Sequence, residues 1–194
     1  MSDERFRGAF RVGSARLPGW DYRSPGAYFI TVCTAGRLCT LGEVRGEEGD
    51  ARALLSPAGE IVAEEWVRTE ALRPNVTLDA WVVMPNHFHG IIALTDSAER
   101  TAAPVETPRR GVSTMGMSER PQNRLSAGSL SAIIGQFKSV STKRIRVTCN
   151  PAFGWQPRFH DHIVRHDAEL EYIRRYISQN PARWQQDRYF TAPA

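Results

Sequence analysis

Cysteine is scarce in this chain, and long apolar runs are absent. Of 194 residues only Cys33, Cys39 and Cys149 are cysteines. An odd number without C-x-x-C spacing argues against a disulfide framework or a cysteine zinc knuckle, and suits small thiols in a reducing compartment. No apolar run approaches the roughly 18 residues of a membrane span. The first ten residues, MSDERFRGAF, carry charges of both signs and no apolar core, so they do not read as a secretory signal. A cytoplasmic protein without a membrane partner is expected. Gly 15 and Pro 12 are too few for a collagen-like or low-complexity chain.

What is present is ordinary globular material. Hydrophobic residues make up 41% and charged residues 24%, which excludes a wholly disordered chain. The length predicts a single domain with additions, large enough for one core without staples. The net charge of +4 permits a polyanionic partner without demanding one. Its distribution is more telling. Residues 95–150 hold nine basic and four acidic residues, a balance of +5, whereas residues 1–94 sum to −2 and residues 147–194 to +1.

Residues 1–25, rich in Arg and Gly with Pro18-Gly19 and Pro25-Gly26 as turn signals, read as an extended arm. AYFITVCT (27–34) is aromatic and β-branched and predicts a strand. Residues 36–55 read as a loop or hairpin. Ser56-Pro57 is a helix start, followed by Val62, Ala63, Trp66 and Val67 at helical spacing, and Pro74 ends that helix. VTLDAWVVM (76–84) and HFHGIIAL (87–94) predict two antiparallel strands joined at Pro85-Asn86. Residues 95–124 lack apolar periodicity and read as a flexible basic insertion.

From Ser129, the apolar residues Leu130, Ile133, Ile134, Phe137 and Val140 predict an amphipathic helix with a basic later part. FGWQPRF (153–159) reads as a short extended piece. A last helix is expected over about 167–180, acidic early and basic late as the helix dipole favours, and stopped by Asn180-Pro181. The order matches an α+β, ferredoxin-like (split βαβ) sandwich: an antiparallel sheet with helices on one face plus one extra C-terminal helix. The arm (1–25) and the insertion would flank a core of 26–94 and 125–184 within a single domain.

His87-Phe88-His89 is the sharpest chemical signal. Side chains alternate along a strand, so both imidazoles project to one face as a ready metal clamp. The bland alternative is a polar strand end with two solvated histidines, but the apolar Trp81–Met84 and Ile91-Ile92 around them demand partners for buried polar groups. A histidine-triad phosphate transferase would need a third alternate His where Ile91 stands, and a cupin-type site a Glu that Gly90–Thr95 does not supply. A second H-x-H, His160-Asp161-His162, reads as a helix-entry segment, with Asp161 or His162 a candidate support near a metal site. On the last helix Tyr172, Tyr176 and Asn180 lie four residues apart along one face. They are either core edge with Asn180 as a cap, or a tyrosine nucleophile beside an amide oxygen ligand.

The segments LPGWDY (17–22), AYFITVCTAGRLCTLGEV (27–44), WVVMPNHFHGII (81–92), IIGQFKS (133–139) and FHDHIVRHDAELEYIRRYISQNPARW (159–184) together resemble the single-tyrosine HUH transposases, in particular the REP-associated tyrosine transposases of bacteria. The resemblance implies a ferredoxin-like domain with His87 and His89 as the HUH pair, Asn180 as the third metal ligand and Tyr176 as the catalytic tyrosine, Tyr172 not matching that position. It implies Mg²⁺ or Mn²⁺ as cofactor, and cleavage and rejoining of single-stranded DNA at hairpins of repetitive palindromes through a 5′-phosphotyrosine. Two His ligands also suit Zn²⁺ or other transition ions. The family includes dimers that exchange the tyrosine helix, while the REP-associated branch is monomeric, so a monomer or a homodimer is expected.

DNA contacts are expected from Lys138, Lys143 and Arg144, with Arg165 and Arg16 behind them. The alternatives are a domesticated, catalytically silent hairpin-binding protein and a generic RNA-binding module of the same fold. The latter usually displays aromatics on adjacent strands, where this chain has its histidine pair.

Overall fold

The computed structural model describes residues 17, 19–46, 50–96 and 128–190, together with the backbone of residues 5–6 and 9–10. Most of the expected arm, Arg16 included, and residues 97–124 of the expected insertion lie outside the described residues. In chain order the elements are β1 (Arg5–Phe6), β2 (Ala9–Phe10), β3 (Gly26–Cys33), β4 (Gly42–Arg45), β5 (Arg52–Leu55), α1 (Pro57–Ala71), β6 (Val76–Met84), β7 (His87–Leu94), α2 (Leu130–Thr148), β8 (His160–Val164) and α3 (Asp167–Gln179), then a 3-10 turn at Pro181–Gln186. Residues 36–55 hold the β4–β5 hairpin.

The main sheet runs β6-β7-β3-β8, and each neighbouring pair is antiparallel. β3 and β6 therefore run parallel with β7 between them, linked by α1. β7 and β8 likewise flank β3 and are linked by α2. This is the split βαβ arrangement expected from the sequence.

Local chemistry starts the helices where the sequence places them. Ser56 caps α1 by accepting a hydrogen bond from the Gly59 N–H at 3.2 Å, with Pro57 in the first helical position. Ser129 caps α2 through the Ala132 N–H at 3.3 Å. Ile61, Val62 and Trp66 of α1, with Leu130, Ile133, Ile134 and Phe137 of α2, bury one face of the sheet. That face presents Tyr28, Ile30, Val32, Phe88 and Ile92. Arg144 ties the two helices together, reaching Glu64 at 2.6 Å and the buried Glu65 at 2.5 Å.

The opposite face is covered by α3. Ile173 and Ile177 pack on Ile91, with Phe29, Val82 and Val164 around them. Arg174 clips this helix to β6, its Nε 3.0 Å from Asp79 Oδ1. β7 is thus buried on both sides, which explains why HFHGIIAL reads as an almost continuous apolar run rather than an alternating one.

The short extended piece expected at 153–159 is not the fourth strand. Pairing there is a single bridge between Thr34 and Trp155, and the strand itself is β8, one step later. Pro157 has no N–H to give a ladder, while the β-branched Ile163 and Val164 pair with Tyr28 and Ala27. The second H-x-H is therefore an edge strand, not a helix entry.

Gly90 permits the closest approach between layers. A Cβ there would lie 2.8 Å from Trp66 Cζ2 and 2.9 Å from Phe88 Cε1. Gly90→Ala is expected to destabilise the protein by about 1–3 kcal/mol through overpacking, read as a lowered urea midpoint with unchanged slope. A midpoint equal to wild type would mean that Trp66 does not seat on the sheet as described.

Candidate metal and tyrosine site

The alternation of β7 sends Phe88 to the α1/α2 core and both His87 and His89 to the α3 face, where neither has any exposed surface. Their ring centroids are 4.5 Å apart. The neighbour of His87 fixes its tautomer. Asn86 spends its amide hydrogens on the carbonyls of Arg37 (3.2 Å) and Tyr189 (2.8 Å), so it offers His87 an oxygen. His87 Nδ1 donates to that Oδ1 at 2.9 Å, leaving Nε2 as a bare lone pair. His89 Nδ1 meets Thr31 Oγ1 at 2.8 Å, and Thr31 is its register partner on β3. The Nε2 of His89 faces the Tyr176 hydroxyl at 3.2 Å. Such partners behind an imidazole set its orientation and basicity toward a metal.

Tyr176 and Asn180 arrive from α3, as their spacing predicts. The Tyr176 ring is held edge-on by Phe29 and His89, with centroids 6.1 Å and 5.3 Å away. Tyr172 is 66% exposed, so the structure brings only one of the two tyrosines to the histidines. The 3-10 turn then folds the chain back and delivers Asp187. Its Oδ2 accepts from Asn180 Nδ2 at 2.9 Å and from the Tyr176 hydroxyl at 3.4 Å. Asn180 Oδ1 is thereby turned away from Asp187. Both Asn180 Oδ1 and His87 Nε2 are buried without a hydrogen-bond partner.

One ligand atom from each of His87, His89 and Asp187 lies within 4.8 Å of the others. Lone pairs that converge in a buried place with no donor are a cation's coordination set. The residues present therefore fit a divalent metal, with His87, His89, Asn180 and Asp187 able to hold it.

Asp187, Asn86 and Thr31 were not singled out by sequence reasoning. The position of Asp187 depends on the turn after Asn180, which leaves no periodic mark. Thr31 is visible only once the β3–β7 register is known. Asn86 stands next to the histidines and reads as a turn residue. Tyr189, also from beyond the turn, lies against His87 and His89, with centroids 4.7 Å and 5.9 Å away.

Burial sets the protonation states. It pulls the His87 imidazole down to about 4, against the opposing pull of the Asp187 carboxylate. Burial and the neighbouring His87 hold His89 well below the usual range. Both rings are thus neutral at pH 7, as metal ligands must be. Burial and Asp187 push the Tyr176 phenol up to about 12, with the Arg188 cation opposing.

A groove of about 1290 Å³ leads from α2 to this site. Lys138 and Lys143 line it together with Arg146, Trp155, Phe159 and Tyr189. Lys138 is fixed by the carbonyls of Gln156 (2.6 Å) and Pro157 (3.1 Å). Arg144 is not brought to the groove, because Glu64 and Glu65 hold its guanidinium between the helices. Arg165 sits at the turn into α3, where its N–H bonds Glu169 Oε2 at 2.8 Å. His162 is engaged by the same carboxylate, at 2.7 Å, and Asp161 lies opposite Ile30 on the α1/α2 side of the sheet.

The fold and the site together define an α+β sandwich that carries a paired-histidine, tyrosine and carboxamide constellation between its sheet and α3. No family model matches the chain. A Haemophilus influenzae (strain Rd) protein of uncharacterised function is 29% identical over 178 residues, covering 91% of this chain and 92% of its own. The structure of a REP-associated tyrosine transposase bound to a REP hairpin superposes with a TM-score of 0.53 at 20% identity, covering 89% of this chain and 74% of that one. The likeness identifies the fold. Among the described residues no helix is long and apolar enough to cross a membrane.

The depressed His87 value has a consequence for stability. Unfolded, the imidazole takes a proton near 6.5; folded, it resists until about 4. Its contribution is therefore present above pH 6.5 and lost as pH falls toward 4, by roughly 3 kcal/mol. Urea unfolding of chelator-treated protein at pH 7, 5.5 and 4 is expected to show this decline. A flat profile across that window would contradict the buried neutral state.

Proposed function

We propose that this protein is a single-tyrosine HUH-type transposase, a metal-dependent strand transferase acting on single-stranded DNA beside a hairpin. Tyr176 is the nucleophile, and His87, His89 and Asn180, now joined by Asp187, hold Mg²⁺ or Mn²⁺. The observation that carries this reading is the convergence of two buried acceptors without donors, His87 Nε2 and Asn180 Oδ1, beside a tyrosine hydroxyl 3.2 Å from His89 Nε2. The similar solved structure, which is bound to a REP hairpin, supports the substrate class. The chain is read as a single domain whose functional core extends past residue 184 to include Asp187.

The chemistry balances on this chain's own groups. Tyr176 Oη attacks the phosphorus, the P–O3′ bond breaks, and the 5′ side of the DNA stays on the enzyme as a phosphotyrosine. The phenolic proton is passed on, with Asp187 Oδ2 within 3.4 Å to receive it, and a proton returns to the departing 3′ oxygen. Bond energy is conserved in the phosphotyrosine, so a 3′-OH can rejoin without ATP. A divalent cation at this place supplies charge neutralisation at the phosphate, which lowers the cost of ionising a buried phenol. The groove cations Lys138 and Lys143 meet the backbone, while the half-buried Phe159 offers a ring on which a base stacks.

Tyr176→Phe removes one oxygen and keeps the ring, so it is expected to abolish the covalent protein–DNA adduct while hairpin binding stays within a few-fold of wild type. Tyr172→Phe retains the adduct. His87→Ala, His89→Ala and chelation each abolish cleavage. The measurement is a denaturing gel of labelled hairpin DNA incubated with Mg²⁺ or Mn²⁺. An adduct that survives Tyr176→Phe overturns the assignment, and wild-type binding with no adduct at all favours the silent hairpin-binding protein.

Binding itself is expected to be tighter for a hairpin with a single-stranded flank than for a duplex of equal length, and to weaken with salt as phosphate contacts release counterions. Titrations of both forms at two salt concentrations test this. Equal affinity for the two forms would speak against a single-strand path in the groove.

A further inference from the structure

The sheet carries a third imidazole on the catalytic face. Register pairs His89 with Thr31 on one side and Thr31 with His160 on the other. Residues directly opposite one another in a ladder project to the same face. His89, Thr31 and His160 therefore form a row across β7, β3 and β8, and their Cα atoms span about 10 Å at ~4.8 Å per strand. His160 lines the groove together with Thr31 and Tyr189, at the point where the groove reaches the site.

Unlike His162, which Glu169 engages, the His160 side chain makes no hydrogen bond among the described residues. Its ring is accessible on an edge strand. A rigidly mounted, uncommitted donor and acceptor in this place has no evident structural duty.

A cation is mounted on Tyr189, which lines the groove together with His160. Arg188 lies over the Tyr189 ring, its Cζ 4.6 Å from the centroid, and bonds the Tyr189 hydroxyl. Tyr189 is buried against the histidine pair, so the guanidinium is anchored rather than free to swing.

We propose that His160 and Arg188 form a phosphate-binding subsite that holds the DNA backbone phosphate next to the one attacked by Tyr176. The subsite rests on the strand-transfer reading above. An imidazole N–H and a guanidinium are complementary to a phosphodiester. Gripping the neighbouring phosphate fixes the scissile one against Tyr176 and sets which linkage is cut.

The test walks one uncharged methylphosphonate linkage along the single-stranded flank of the palindromic hairpin nearest the protein's own gene. Affinity is measured by fluorescence anisotropy in the Tyr176→Phe background, where cleavage does not interfere. His160→Ala is expected to weaken binding of the all-phosphate strand about tenfold. It should have no effect on the strand whose neutral linkage replaces the gripped phosphate, and the full effect when the neutral linkage lies elsewhere. His160→Gln, which keeps an N–H donor, recovers most of the loss. A loss that is equal on every strand, no loss on any, or no binding of the hairpin by the parent overturns the subsite. Selective coupling at one linkage, together with no wild-type adduct in Mn²⁺, would sink the strand-transfer reading while leaving the subsite standing.

Discussion

Two histidines with no exposed surface sit at the centre of a sheet, and neither is charged. A buried imidazole is tolerated only if its polar atoms find partners. The Nδ1 atoms find Asn86 and Thr31. The Nε2 atoms turn toward α3, and everything on that side is arranged around them. Tyr176 answers His89, Asp187 turns the Asn180 amide, and what remains unanswered is a set of lone pairs that only a cation or a protonated group can satisfy. The site follows from the cost of burying polar atoms on a strand whose alternation allows them no other direction.

That cost is bearable because the sheet is closed on both sides. α1 and α2 seal one face through Trp66 and Phe137, and α3 seals half of the other through Ile173 and Ile177. Arg174 holds α3 to β6 through Asp79, with Glu171 as a second partner. Tyr176 therefore comes from a helix fixed at two points to the strand pair that carries the histidines. On the proposed function, such mounting would keep the reacting groups in register with little loss of freedom at the moment of reaction.

Much of this was legible in the sequence, for identifiable reasons. Ser56-Pro57 and Ser129 mark the helix starts because capping is local. Residues 76–84 and 87–94 read as strands with the bounds they have, because β-branched runs flank a two-residue turn. Spacing puts Tyr172, Tyr176 and Asn180 on one helix face, the resemblance singles out Tyr176 and Asn180, and in the structure burial separates Tyr176 from Tyr172. What was not legible depends on non-local pairing. β8 was read one step early because FGWQPRF looks more strand-like than HDHIV, and an edge strand is under little hydrophobic constraint. Arg144 looked like one cation in a basic run, and only the packing of α1 on α2 turns it toward Glu64 and Glu65. Asp187 lies past a 3-10 turn whose geometry no periodicity announces.

Asp187 also settles a question of charge that the histidines leave open. Two neutral imidazoles and a carboxamide present a cation with no negative ligand, which favours transfer of its full charge to a phosphate but binds a hard ion such as Mg²⁺ weakly. On the proposed function, one carboxylate would strengthen the hold and still leave net positive charge toward a phosphate. Burial, and after it the same carboxylate, push the Tyr176 phenol up to about 12, because a low-dielectric site and a like charge both disfavour a phenolate. Arg188 pulls the other way. Burial and one fixed anion thus hold the Tyr176 phenol protonated against one fixed cation. On the proposed function, a cation held by His87 and Asn180 would offset Asp187 and favour the phenolate. Tyr176 would then be inert in the bare protein and reactive only with a cation and a phosphate both in place.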